Sequence, residues 1–311
     1  MLNEARHLHR VGWIGVGAMG TPMCLNLLKA GYAVTAFDLN PEKLERIRGD
    51  GAGVATSPRE LVRECDVVFS TIFDDQGLRD IVLGPNGLIA AAGPGAASVY
   101  VDMSTVSPAA SADIAKELEP RGMAYLRAPV SGTVSLAESA QLSTFVSGPR
   151  EAFDLVRPLL ACLTARQSHL GTGEEARVVK LMINLLVTMS TAAIGEALAF
   201  GQKAGLDRGL MVDAINESIV GSPHYRVKAD KLKRRDYSPV GSVALVIKDV
   251  GMALKVADEG GSTLPISQSV YQTLLDMDRR GFGQCDIAAL ADSADLLATG
   301  GPEAVARSTP C

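Results

Sequence analysis

Residues 11–38 carry the pattern that most restricts how this chain can fold. VGWIGV at 11–16 is a short apolar run that passes into Gly15-Val16-Gly17-Ala18-Met19-Gly20. A helical TPMCLNLLKAGY follows, Gly31 stops it, and a second apolar run, AVTAF at 33–37, ends at Asp38. Strand, glycine turn, helix and strand make a βαβ unit, which commits the chain to a parallel sheet with right-handed crossovers. Each glycine of the GxGxxG has its own task. Gly15 allows the tight turn, Gly17 lets the backbone approach a pyrophosphate, and Gly20 lets helix and strand pack closely. The helix N-terminus then faces the phosphates, and an acid about 20 residues on can accept hydrogen bonds from a ribose diol. A GxGxxG alone is weak; in this context it specifies a dinucleotide site built from Gly15, Val16, Gly17, Ala18, Met19, Gly20 and Asp38. A carboxylate at 38 repels a 2′-phosphate, and Leu39-Asn40-Pro41 brings no arginine beside it. NAD is therefore favoured over NADP, with Arg46 and Arg48 on the next helix keeping NADP open.

The alternation continues. DVVFST at 66–71 is a strand with a loop at 72–75. SVYVDM at 98–103 is the next, ending in Ser104-Thr105 before Pro108 and a helix to about 118. Residues 124–126 lead into Arg127-Ala128-Pro129-Val130-Ser131-Gly132-Thr133, and QLSTFVS at 141–147 is a further strand before a helix at 150–160. In such sheets ligands lie beyond the carboxyl ends of the strands, so the loops at 72–75, 104–107 and 127–133 are expected to line one crevice.

Near residue 170 the composition changes and the strands stop. Helices are expected at 174–204, 207–219, 223–235, 240–259, 265–280 and 285–298, punctuated by Gly205, Gly221-Ser222-Pro223, Ser238-Pro239 and Gly260-Gly261. The organisation implied is a dinucleotide-binding domain over 1–170, an interdomain helix over 171–204, an all-helical domain over 205–300 and a tail over 301–311. The long helix has no charged residue from 181 to 195. Lys180 enters just before this run and Asn184 follows at i+4, so the two share a face that Thr188 and Thr191 continue. Two readings stand side by side: a lysine snorkelling its head to solvent, or a lysine whose partial burial brings it toward the range where it trades protons. The basic run 228–235 (KADKLKRR) reads as a solvated face or a phosphate site. Lys248-Asp249, inside an apolar helix, reads as a buried pair or as a group aimed at a cofactor.

Composition closes several classes. With 311 residues and 47% hydrophobic content, two globular domains are affordable. The formal net charge of −5 gives no footprint for nucleic acid. The five cysteines are scattered with no CxxC pair, so neither a zinc site nor a disulfide framework is expected, and a reducing compartment fits. The N-terminal MLNEARHLHR lacks a signal-peptide core, and 181–195 reads as too short for a span of about 20 residues. A cytoplasmic protein with no membrane partner is the expectation.

Four features coincide in spacing: the glycine loop 15–20, APVSGT at 128–133, GTG…K…N from 171 to 184, and the Lys248-Asp249 helix. Together they resemble the β-hydroxyacid dehydrogenase family over nearly the whole chain. That resemblance implies an N-terminal Rossmann-like doubly wound parallel sheet joined by a long helix to an all-α C-terminal domain, in a homodimer or homotetramer. It implies Lys180 as catalytic acid/base, Ser131, Gly132 and Thr133 as holders of a substrate carboxylate, and Asn184 as a substrate hydrogen-bond partner. It further implies nicotinamide contacts from Thr105 and the Ile72-Phe73 backbone, with Lys248 closing over the cofactor. The reaction expected is hydride transfer between NAD or NADP and a small 3-hydroxy acid such as 3-hydroxyisobutyrate. Rivals are imine reduction, a non-catalytic dinucleotide-binding protein, or reduction of a dianionic aldehyde. Three positions depart from the family pattern. Arg127 stands where an acidic residue is usual, as a surface replacement or as a clamp for a second anionic group. Thr133 stands where glycine is usual, and Glu174-Glu175-Ala176 breaks a glycine motif.

Overall fold

The computed structural model describes residues 8–298, so the expected 301–311 tail lies outside them. The chain divides into two compact units between Lys180 and Leu181, inside a helix. The sequence placed its compositional boundary about ten residues earlier, at the turn that opens the same helix.

The first unit is a sheet flanked by helices. Its strands are β1 (Arg10–Ile14), β2 (Ala33–Phe37), β3 (Gly53–Val54), β4 (Val67–Ser70), β5 (Val99–Asp102), β6 (Ala124–Arg127), β7 (Val130–Ser131), β8 (Leu142–Ser147) and β9 (Thr164–Gly171). Their order is β3-β2-β1-β4-β5-β6-β8-β7, with β9 beside β8. From β3 to β6 every pairing is parallel, and β8 reverses against β6 and β7 before β9 runs parallel to it. The sheet is thus parallel and doubly wound at its centre, while the uniform parallel direction expected from the alternation fails at β8.

Helices α1 (Gly20–Lys29), α2 (Pro41–Gly49), α3 (Pro58–Glu64), α4 (Asp75–Leu83), α5 (Pro108–Leu118), α6 (Val134–Glu138) and α7 (Arg150–Ala161) connect the strands. They cover both faces, so the strands are buried on both sides and read as continuous apolar runs. Trp13, Phe69 and Val101 point into one core and Ile14, Val68 and Tyr100 into the other. Trp13 stacks on Phe69 and Tyr100 on Tyr125, with ring centroids 5.4 and 5.3 Å apart. Removing apolar side chains of this size from water stabilises by about 1.5–3 kcal/mol each.

Helix α8 (Glu175–Lys203) carries the chain from one unit to the next. At 29 residues it is long and apolar enough, by length and composition alone, to cross a bilayer. One such helix is weak support for a membrane span. A Cβ on Gly195 would lie 2.5 Å from the Ala291 carbonyl oxygen, so only glycine admits this approach. Beyond it lie α9 (Arg208–Glu217), α10 (Pro223–Arg234), α11 (Val243–Glu259), α12 (Pro265–Met277) and α13 (Ser293–Ala298), the last preceded by a 3-10 turn at Ile287–Asp292. Four cations of the basic run are spent on this unit's carboxylates: Lys228 on Asp286, Lys231 on Asp236, Lys233 on Asp213, and Arg235 on Asp292 and Asp295.

Candidate active site

The glycine loop hangs from three strands. Gly15 N donates to the Phe37 carbonyl of β2 at 2.8 Å, and the Thr71 hydroxyl after β4 donates to the Gly15 carbonyl at 2.6 Å. Gly15 sits at φ +90°, and a Cβ there would meet the Thr71 carbonyl oxygen at 2.2 Å. At Gly20 a Cβ would meet the Gly15 carbonyl oxygen at 1.9 Å, whereas at Gly17 it would meet nothing within 4 Å. Two glycines are thus demanded by the protein's own backbone, and the third leaves open space for something outside it. Helix α1 has no side-chain cap at Met19 and no acidic residue in its first turn. No side chain occupies its N-terminus, which suits a phosphate there, in contrast with the side-chain caps on α2, α3, α4 and α5. The Asp38 carboxylate receives Val16 N at 2.9 Å and Asn40 N at 2.8 Å, with the Lys43 ammonium at 3.8 Å. These residues fit a dinucleotide, with Asp38 fixed at the end of β2.

The registers align Ile14, Ser70, Asp102 and Arg127 in one row, each the last residue of its strand. The loops expected to carry substrate and nicotinamide contacts leave from this row. Ile72 N donates to the Ser104 hydroxyl at 2.8 Å, so the loops after β4 and β5 are tied together. Thr105 is half-buried and Phe73 exposed. In the loop after β6, the Thr144 hydroxyl lies 3.0 and 3.1 Å from the carbonyls of Ala128 and Pro129, and Ser131 pairs with Ser143 across β7 and β8. Gly132 is at φ +146°, and a Cβ there would press on Leu142 at 2.6 Å. Thr133 shares a 2.8 Å hydrogen bond with Ser135.

Two buried residues of the row take partners from Glu174, just before α8, and from the first turn of α8. Arg127 donates through Nε to Glu174 Oε1 at 2.9 Å, its Nη2 also bonds that oxygen, and its guanidinium lies 4.5 Å above the Tyr125 ring. The fork that the sequence offered to an anionic substrate is therefore filled by the chain's own carboxylate. Asp102, fully buried, is paired with fully buried Arg177 at 2.5 Å. Arg177 also donates to the Ser104 carbonyl at 2.7 Å and the Tyr125 hydroxyl at 2.9 Å. Burial works against the Arg177 charge, but Tyr125 and Asp102 outweigh it and hold the guanidinium above its ordinary value. Burial pushes the Tyr125 phenol up to about 12, which keeps it a neutral partner. Arg177 and Asp102 were not singled out by sequence, Ser104 was read only as a strand end, and Glu174 only as a break in a glycine motif. The available signals were a charge at the end of an apolar strand and another in the opening turn of an apolar helix.

Lys180 is half-buried one turn beyond Arg177, and Asn184 follows one turn later on the same face. Thr188 and Thr191 donate to the carbonyls of Asn184 and Val187, at 2.8 and 2.9 Å, and so satisfy their own helix. In the second unit Asn184 Nδ2 donates to Asp249 Oδ2 at 2.7 Å, and Asp249 Oδ1 lies 2.7 Å from the Lys248 ammonium. No group of three or more metal-ligating side chains is found among the described residues.

Residues 10–171 match the family of the NAD-binding domain of 6-phosphogluconate dehydrogenase, and residues 174–293 match the NAD-binding region of NADP-dependent 3-hydroxyisobutyrate dehydrogenase. L-threonate dehydrogenase of Cupriavidus necator is 34% identical over 281 residues, covering 90% of this chain and 94% of that one. The chain belongs to the β-hydroxyacid dehydrogenase family. Among other β-hydroxyacid dehydrogenases, the NAD-dependent L-serine dehydrogenase of Pseudomonas aeruginosa is 31% identical, covering 91% of this chain and 97% of that one. A solved structure of Mycobacterium tuberculosis 3-hydroxyisobutyrate dehydrogenase with L-serine superposes with a TM-score of 0.83 at 26% identity, covering 92% of this chain and 99% of that one. This β-hydroxyacid dehydrogenase is accordingly an NAD(P)-dependent oxidoreductase acting on CH–OH groups of hydroxyacids.

Proposed function

We propose that the enzyme transfers a hydride between NAD and a small 3-hydroxy acid, with Lys180 as the acid/base. The observation that carries this reading is the position of Lys180. It is half-buried on α8, one turn past an arginine bonded to the strand end and loop that flank Thr105. Nicotinamide, when bound, accepts the hydride in oxidation and supplies it in reduction. Lys180 removes the hydroxyl proton as the carbinol carbon is oxidised and returns a proton to the oxygen in the reverse direction. Ser131, Gly132 and Thr133 hold the carboxylate, and Asn184, oriented by Asp249 and Lys248, hydrogen-bonds the reacting oxygen. Ile72, Phe73 and Thr105 position the nicotinamide half. Arg127 is engaged by Glu174, which supports a substrate with a single anionic group over a dianionic one. Asp38 supports NAD over NADP because a carboxylate held at the end of β2 would repel a 2′-phosphate.

The test is a panel of 3-hydroxyisobutyrate, L-threonate, L-serine and 2-(hydroxymethyl)glutarate with NAD and NADP, with succinic semialdehyde plus NADH and a cyclic imine plus NADPH. Turnover of a hydroxyacid or the semialdehyde, faster with NAD than with NADP, is expected. Turnover of the imine alone would select the rival reaction. Lys180→Ala is expected to lower kcat by about 100-fold or more while NADH still binds; full activity in that variant removes the lysine from the mechanism.

A further inference from the structure

We infer that Arg177 is a positioning residue that sets Lys180 against the nicotinamide-side loops. This rests on the reading of Lys180 given above. Stability alone does not account for the pair Arg177–Asp102. Both side chains are wholly removed from water. Desolvating two charges costs as much as their attraction returns, and such pairs are often no more stabilising than apolar residues of similar volume. What a buried, saturated pair does supply is a single geometry.

The saturation is visible atom by atom. Asp102 Oδ1 accepts from the Ser70 hydroxyl at 2.7 Å, the Ser104 hydroxyl at 2.5 Å and Ser104 N at 3.2 Å. Oδ2 accepts from Arg177 Nη2 at 2.5 Å. Arg177 spends its other nitrogens on the Ser104 carbonyl and on Ser111, at 2.7 and 3.3 Å. Ser104 in turn accepts from Ile72 N at 2.8 Å. One guanidinium therefore bonds the end of β5 and the loop after it directly, and the loop after β4 through a single hydroxyl. These are the loops that hold Ile72, Phe73 and Thr105.

Arg177 sits in the third position of α8, and Lys180 follows by three residues, about 4.5 Å along the axis. Across so short a helical segment the backbone is stiff, so a displacement of Arg177 becomes a displacement of the lysine. A misplacement of about 1 Å at a reacting group can cost about 100-fold in rate. Glu174, three residues earlier, makes a second tether to Arg127, but on the substrate-loop side of the row. Loss of Arg177 would thus leave the helix attached yet free to shift relative to the cofactor loops.

The experiment is a double-mutant cycle between positions 177 and 180, assayed with the hydroxyacid turned over best in the panel. Arg177→Met preserves length and volume and removes the fork. It is expected to lower kcat by about 10- to 100-fold, to change the KM for NAD less than threefold, and to leave the circular dichroism spectrum folded. In the Lys180→Ala background the same substitution is expected to change the residual rate less than twofold, because there is no ammonium left to position. Should Arg177→Met fail to fold around an unpaired Asp102, the Arg177→Met/Asp102→Asn variant removes both charges and is carried through the same cycle. Undiminished kcat in a folded variant overturns the proposal, as does an equal loss in both backgrounds. Full activity of Lys180→Ala alone instead overturns the lysine assignment, so the two failures are told apart.

Discussion

At Gly17 the protein leaves a space that nothing of its own fills, while at Gly15 and Gly20 it fills the space completely. Three glycines of one motif therefore answer to different demands, and substitutions should separate them. Gly20→Ala is expected to destabilise the apoenzyme, since its methyl would overlap a backbone carbonyl that cannot move without disturbing β1. Gly17→Val should leave the apoenzyme melting temperature within a few degrees and abolish the rise that NADH produces in the parent. A Gly17→Val protein that still binds NADH tightly would mean the phosphates do not pass over this residue. The distinction was legible as motif logic, but which glycine faces open space required coordinates. Arg177 and Asp102 lie beyond such logic. They are 75 residues apart, and neither has a local pattern that names the other.

Among the elements, β1 and β4 show how a polar residue can fix the edge of an apolar layer. Asp66, just before β4, accepts from His9 N and Arg10 N at 3.0 and 2.9 Å and from the Arg10 guanidinium at 2.8 Å. Burial tends to raise the Asp66 carboxyl, but the Arg10 side chain and these backbone donors prevail and hold it below its ordinary value. A carboxyl whose folded pKa is depressed contributes stability that is present above its unfolded pKa, about 3.9, and is lost as pH falls through the folded value. Asp66→Asn should therefore lower the melting temperature at pH 7, and the difference from the parent should shrink below about pH 4 and vanish under stronger acid. A gap that persists unchanged at low pH would assign the effect to shape rather than charge. Elsewhere, elements were readable where burial was two-sided. Strands β1, β4 and β5 announce themselves as apolar runs, and the helices of the second unit as periodic segments between glycine and proline stops. Strand β9, TARQSHLG, escaped because it alternates polar residues at the margin of the sheet, and the reversal of β8 escaped because nothing local encodes strand direction.

For the whole molecule, cofactor binding and stability are linked. If the first unit binds NADH and its unfolded chain does not, ligand at 100 times Kd adds about 2.7 kcal/mol, and at 1,000 times about 4.1 kcal/mol. The melting temperature should accordingly climb with the logarithm of NADH concentration, and a flat response would argue against a preformed site. The family, the central parallel sheet and the helical second half were all legible, because each rests on patterns repeated over many residues. The pairing of Arg127 with Glu174 was not, and sequence offered it instead as two unrelated departures. Joined, they form one largely buried ion pair. Either change made alone would strand a charge in a site that excludes water, and breaking such a pair typically costs about 3–5 kcal/mol. An acid at 127 facing Glu174 would be worse still. Replacing either residue alone should therefore cost more than replacing both together. Among relatives, residues at these two positions should be inherited together or not at all.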